Sequence, residues 1–200
     1  DPCQCIKLLR GLKHICVAGN HDRAAIGRVS TAKFNPDAAA ACHWTAGQLT
    51  PKDTVYLESL PLTIHRESFT LVHGSPREPV WEYVISNNIA LINFDFFQSQ
   101  FCLVGHSHVP LIFKSDDSDC SSNPFSPGVK LVLGKSRLII NPGGVGQPRD
   151  GDPRASYAIY DSEPGIITNY RVPYDIESTQ EKIMGVGLPI RLATRLSRGI

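Results

Sequence analysis

Apolar residues at Cys5, Leu8, Leu9 and Leu12 recur at helical spacing, and the pattern then breaks into short apolar runs. Ile15-Cys16-Val17-Ala18 predicts a buried strand, stopped by Gly19-Asn20-His21-Asp22. The alanine-rich stretch from Ala38 to Leu49 predicts a helix that ends before Pro51. Strands are predicted over Val55–Leu57, Leu62–His65 and Phe69–Val72, the last running into His73-Gly74-Ser75-Pro76. Residues 81–99, with Trp81, Tyr83, Ile89 and Phe94, predict helical turns. Phe101–Val104 predicts a further strand, ending at Gly105-His106-Ser107-His108.

The stretch Lys114–Gly128 is polar and rich in turn formers, which predicts a surface excursion. Strands follow over Lys130–Leu133, Arg137–Ile140 and Ala155–Tyr160, and Ile166–Val172 is predicted to close a hairpin with the last. Leu188, Leu192 and Leu196 at i, i+4 spacing predict a final helix from Pro189; its Arg191, Arg195 and Arg198 read as a solvated face. Strands separated by helices, then a strand-rich second half, predict an α/β layered fold in one domain over residues 1–200. One regularity carries function. Apolar strands run three times into a His-containing polar turn, at 19–22, 73–76 and 105–108, and a fourth runs into Asn141-Pro142-Gly143-Gly144. Open α/β sheets gather ligands beyond the carboxyl ends of their strands, so these four loops are expected to share a site.

Composition narrows the field. With 20 basic and 19 acidic residues the net charge is +1, so no overall field draws the chain to nucleic acid or a membrane. No apolar run reaches the roughly 20 residues of a membrane span. The start, Asp1-Pro2-Cys3-Gln4-Cys5, has neither an initiator Met nor a signal-peptide pattern, and is read as lying mid-protein or after processing. The six cysteines form no C-x-x-C pair, and a cytoplasmic location is expected.

His106 and His108, two residues apart after a strand, are able to direct imidazoles at one metal or at two neighbours. His73 adds a third imidazole and Asn20 an amide oxygen, a set that suits Mn, Fe, Zn or Ni. Any one of these histidines taken alone is more often a hydrogen-bonded structural residue. His14, His43 and His65 have no comparable setting.

The order Gly-Asn-His-Asp, strand-terminal His-Gly, Gly-His-Ser-His resembles the calcineurin-like metallophosphoesterases. Trp81-Glu82-Tyr83 and the stretch from Asn141 to Ala155 extend the resemblance, toward a bacterial branch described as phosphodiesterases or diadenosine-tetraphosphatase-like proteins. It implies a layered β-sandwich flanked by helices, and hydrolysis of a phosphodiester or nucleotide by a water activated between two divalent metals, with Mn favoured. Asn20, His73 and His106 would bind one metal and His108 the other. His21 would donate a proton to the leaving oxygen or a hydrogen bond to the phosphoryl group, with Asp22 orienting it. Arg149 is the candidate cation for the phosphoryl oxygens, against the alternative that it pairs with Asp150 or Asp152 in a turn.

The family's Asp-x-His and early Gly-Asp motifs have no match here, since the sole Gly-Asp, Gly151-Asp152, lies after the Gly-His-Ser-His motif. The resemblance thus implies an absent N-terminal strand–helix–strand piece that carries the bridging carboxylate, and an inactive fragment without it. A non-catalytic phosphate- or metal-binding module is the alternative. A structural zinc protein is disfavoured, because closed structural sites prefer cysteine ligands.

Overall fold

The computed structural model describes residues 1–116 and 119–200; Asp117 and Ser118, inside the stretch predicted as a surface excursion, lie outside the described residues. Helix α1 (Pro2–Arg10) starts on a proline, whose missing N–H is no loss at a helix start, and ends with Lys7 and Arg10 near its negative pole. Helix α2 (Asn20–Ala25) begins at the Gly-Asn-His-Asp motif, so these residues form a first helical turn rather than a free loop. Helix α3 (Pro36–Gln48) is capped by Asn35, whose side chain accepts the Ala38 N–H at 2.9 Å.

Two predicted strands are corrected at this end of the chain. Val55–Leu57 lies inside helix α4 (Pro51–Ser59). Thr50 and Asp53 cap that helix reciprocally, at 3.2 and 3.1 Å, and Pro51 presets its first turn; this overrides three residues of apolar strand pattern. Residues 15–18 join no ladder among the described residues. The Ala18 N–H donates to the Pro61 carbonyl at 2.9 Å, but an apolar run becomes a strand only when a neighbour takes up its backbone groups.

Strands β1 (Thr63–Arg66) and β2 (Phe69–Val72) form a hairpin. Helix α5 (Asn87–Asn93) and a 3₁₀ turn at Phe94–Phe96 follow, then β3 (Phe101–Leu103). Strands β4 (Leu111–Asp116) and β5 (Asp119–Pro124) pair antiparallel where an excursion was predicted. The polar residues face outward there, while Cys120 and the following Phe125, 3% and 0% exposed, anchor the segment inside. Strands β6 (Lys130–Val132), β7 (Leu138–Asn141), β8 (Ala155–Asp161) and β9 (Ile166–Val172) match the predicted runs. Helix α6 (Ile176–Gly185), not foreseen, starts where Asp175 accepts the Ser178 N–H at 2.9 Å. The last predicted helix is short, α7 (Ile190–Thr194), and tightens into a 3₁₀ turn over Leu196–Arg198.

The strands make two sheets, one ordered β1-β2-β3-β7-β4-β5 and one ordered β6-β9-β8. Alternation along the large sheet gives it two apolar faces. Val72, Cys102, Phe113 and Ile139 pack with Ala90 of α5 and with Val84, Phe94 and Phe97. Phe69, Phe101, Ile112, Leu138 and Ile140 pack with Ile167, Leu131 and Ala158 of the small sheet. This is the layered α/β sandwich with flanking helices that the sequence predicts. Strands β2, β3 and β7 run parallel and in register, Leu71 beside Leu103 beside Ile140, so the turns that leave them emerge at one edge.

Candidate active site

At that edge the predicted residues converge. Asn20 Oδ1 lies 2.9 Å from His73 Nε2, which lies 3.1 Å from His106 Nδ1. A cavity of about 350 Å³ is lined by these three together with His21, His108 and Arg149. Backbone and buried amides set the loops: the Gly105 N–H donates to the His73 carbonyl at 2.9 Å, and Asn141, fully buried, donates to the Gly105 carbonyl at 2.8 Å and Ser107 Oγ at 2.9 Å. Asn141 Oδ1 also accepts the Gly143 N–H at 2.9 Å, so one side chain joins the Gly-His-Ser-His turn to the Asn-Pro-Gly-Gly turn. His106 and His108 both have left-handed backbone, at φ 60° and 61°.

The hydrogen-bond partners fix which ring nitrogens are free. His106 Nε2 faces the Trp81 carbonyl at 3.1 Å and must donate to it, which leaves Nδ1 with its lone pair. His108 Nδ1 donates to the Gln147 carbonyl at 2.6 Å, which leaves Nε2 free. Outer carbonyls of this kind commonly orient metal-binding imidazoles. Tyr83 stacks on His106 at 4.0 Å between ring centres. The loop that carries Trp81 and Tyr83 is itself held at Glu82, which accepts from Ser75 and Asn93, each at 2.7 Å, and pairs with Arg77.

Burial and mutual proximity keep these rings neutral. Burial first, then His106 and His108, pushes His73 down to about 3. Burial likewise lowers His106 to about 4, and burial followed by the Arg149 charge lowers His108 to about 4. His21 is lowered by desolvation, then by Arg149 and Arg195.

The set fits a divalent cation on chemical grounds. Asn20 Oδ1, His73 Nε2 and His106 Nδ1 meet at 2.9 and 3.1 Å, and at most one proton, on His73 Nε2, is there to serve two acceptors. A cation between them serves all three, and mixed imidazole and amide donors suit the divalent first-row metals. Among the described residues no three His, Cys, Asp or Glu side chains alone are placed to hold a metal, so the cluster is a partial ligand set. Gly19 keeps it closed, because a Cβ there would lie 2.9 Å from His73 Nδ1 and Cε1. Gly19→Ala is expected to displace the His73 ring rather than the backbone. Metal affinity should then fall about tenfold, at the lower end of outer-partner losses, with little change in melting temperature; calorimetry with Mn²⁺ beside a thermal melt tests both.

Two expected roles change in this setting. Asp22 makes no hydrogen bond to His21; its carboxylate accepts the Gly19 N–H at 2.7 Å and closes the first turn of α2, and burial raises its pKa. His21 Nδ1 instead faces Cys42 Sγ of α3 at 3.2 Å, and its ring meets Phe34 edge-on. Arg149, by contrast, is free of the neighbours proposed for it. Asp150 pairs with Arg171 and Asp152 with Arg154, while Arg149 donates only a long bond of 3.3 Å to Gln147. Arg195, read from sequence as a surface residue, lines the same cavity.

A model of the calcineurin-like phosphoesterase superfamily domain matches residues 2–165. An uncharacterized protein of Methanocaldococcus jannaschii is 35% identical over 205 residues, covering 100% of this chain and 81% of the relative. The crystal structure of a metallophosphoesterase from Sphaerobacter thermophilus superposes with a TM-score of 0.89 at 46% identity, over 98% of this chain and 82% of that one. A hypothetical protein from Pyrococcus horikoshii OT3, at 17% identity and a TM-score of 0.75, shares the fold over 98% of this chain and 78% of its own.

Proposed function

The chain belongs to the calcineurin-like phosphoesterase superfamily, and on that premise we propose that its histidine cluster serves hydrolysis of a phosphodiester or nucleotide. Members of this family carry out metal-dependent phosphoester hydrolysis and typically bind divalent ions. The observation that supports the reading most is the meeting of Asn20 Oδ1, His73 Nε2 and His106 Nδ1 within 2.9 to 3.1 Å. In this reading these three hold one cation and His108 contributes Nε2 to a second, with Mn favoured over Fe, Zn and Ni. Bound cations supply Lewis-acid polarisation of the phosphoryl group and lower the pKa of water.

The chain's own residues do the rest. His106 and His108 stay neutral donors because burial and the neighbouring charges outweigh the outer carbonyls, which serve instead to fix which ring nitrogen carries the proton. Arg149, which has no carboxylate partner among the described residues and lines the cavity, would offset charge on the phosphoryl oxygens. His21 gives a hydrogen bond or a proton to the leaving oxygen, its ring steadied by Cys42 and Phe34. A carboxylate would complete the ligand set for the cations, and residues 1–200 are read as belonging to one domain.

Mn²⁺-dependent hydrolysis of a chromogenic phosphodiester tests this, measured on this chain and on a form extended with its natural upstream residues. Turnover in the extended form, with little in the shorter one, is the expected result. No turnover in either with Mn, Fe, Zn or Ni would sink the hydrolase reading and leave a non-catalytic phosphate- or metal-binding module in its place.

A further inference from the structure

The cavity at the histidine cluster does not end at Arg149. Arg195 lines it and also lines an adjoining groove of about 610 Å³ with Arg191 and Arg198. This groove leads away from the cluster along α7 and the 3₁₀ turn that follows it. Its charge is unbalanced near the cavity. Among the described residues neither Arg149, Arg195 nor Arg198 lies within ion-pair distance of a carboxylate. Asp37, which also lines the groove, pairs with Arg191 at 3.9 Å, and its charge offsets part of that on Arg195. Arg195 Nε is buried and has no hydrogen-bond partner among the described residues. Burial, then the like charge of Arg149, depresses the Arg195 pKa, against a smaller opposing effect of Asp37.

Two guanidinium groups that line one cavity, with no carboxylate in ion-pair contact with either, repel, and a buried N–H without an acceptor costs about 1–3 kcal/mol. Both penalties vanish when an anion with several acceptor oxygens lies between them, and planar guanidinium forks match phosphate oxygens. The histidine cluster, however, already accounts for one phosphoryl group. We propose that Arg195 and Arg198, with Arg149 at the junction, form a second phosphate subsite, and that the substrate carries a second phosphoryl group beside the one cleaved, as a nucleoside diphosphate or a longer phosphate chain does. This rests on the cluster being the phosphoryl site of the reaction. The apolar cavity of about 250 Å³ behind His21, lined by Cys5, Cys16 and Cys42, has no such charge and does not compete for the role.

Methylenediphosphonate, which resists hydrolysis, and inorganic phosphate are the probes, each titrated calorimetrically into the full chain with its metal content measured. The wild type should bind the diphosphonate at least about tenfold tighter than phosphate, as one added charge-assisted contact provides. Arg195→Gln should bring that ratio close to one. Arg198 is exposed, so Arg198→Gln tests the subsite where folding is not at stake, and should lower the ratio about threefold. Equal affinity for the two probes in the wild type, or an unchanged ratio in folded variants, overturns the subsite. Binding is read without turnover, so an inactive enzyme that still prefers the diphosphonate refutes the hydrolase reading alone. An active enzyme without the preference refutes the subsite alone.

Discussion

His106→Ala should remove metal-dependent phosphoester turnover and weaken Mn²⁺ binding by more than about a hundredfold, beyond the roughly 10- to 100-fold that loss of an outer partner costs. The expectation follows from where the ring sits. His106 is 6% exposed, stacked on Tyr83, and tied through Nε2 to the Trp81 carbonyl, so its Nδ1 lone pair has one direction available. His108 is held separately, through its Nδ1 bond to the Gln147 carbonyl at 2.6 Å. Truncation also leaves the Trp81 carbonyl without a donor, for a stability loss of about 1–3 kcal/mol. A thermal melt separates that loss from the binding loss. Retention of Mn²⁺ affinity within threefold, an effect of about 0.6 kcal/mol by the usual conversion, would remove His106 from the ligand set.

His21→Asn should leave Mn²⁺ affinity nearly unchanged and lower kcat by about 10²- to 10⁴-fold, the range for loss of a positioned proton donor. His21 follows Asn20 directly on α2, but its Nδ1 faces Cys42, away from the three-atom cluster, and it touches neither His73 nor His106 through a hydrogen bond. The size of the loss should depend on the leaving group. A nitrophenolate leaves without help, whereas an alkoxide needs a proton, so an alkyl phosphodiester should suffer far more than the chromogenic one. A variant that loses metal and turnover together, equally for both substrates, would make His21 a ligand instead.

Much of this site was legible in the sequence because its donors follow directly on apolar strands. Asn20, His73, His106 and His108 stand just beyond the ends of apolar runs, and two of those runs, β2 and β3, are parallel neighbours. What stayed hidden has two causes. Backbone acceptors have no residue type, so the Trp81 and Gln147 carbonyls that choose the ring nitrogens of His106 and His108 could not be read from letters. Contacts between distant segments leave no spacing: Cys42 meets His21 across 21 residues, and Arg195 meets the cavity from a helix that reads as solvated. The fold followed the same division. The core strands were plain from their apolar content, while residues 55–57 became helix through a cap outside the run, and residues 119–124 became strand through Cys120 and its pairing with β4. A strand predicted at 15–18 needs a partner, and local pattern carries no information about partners.

The left-handed backbone at His106 and His108 has a consequence for how this protein responds to selection. A residue with a Cβ at φ near 60° costs about 1–2 kcal/mol relative to the ordinary conformation, and two such residues lie in one short turn. Glycine at either position would relax the turn, but it would also remove the ring's bond to the Trp81 or Gln147 carbonyl, a loss of about 1–3 kcal/mol that cancels the gain. Selection for stability and selection for turnover should therefore both keep the imidazoles at 106 and 108, and a stabilised lineage of this protein would gain its stability elsewhere in the chain.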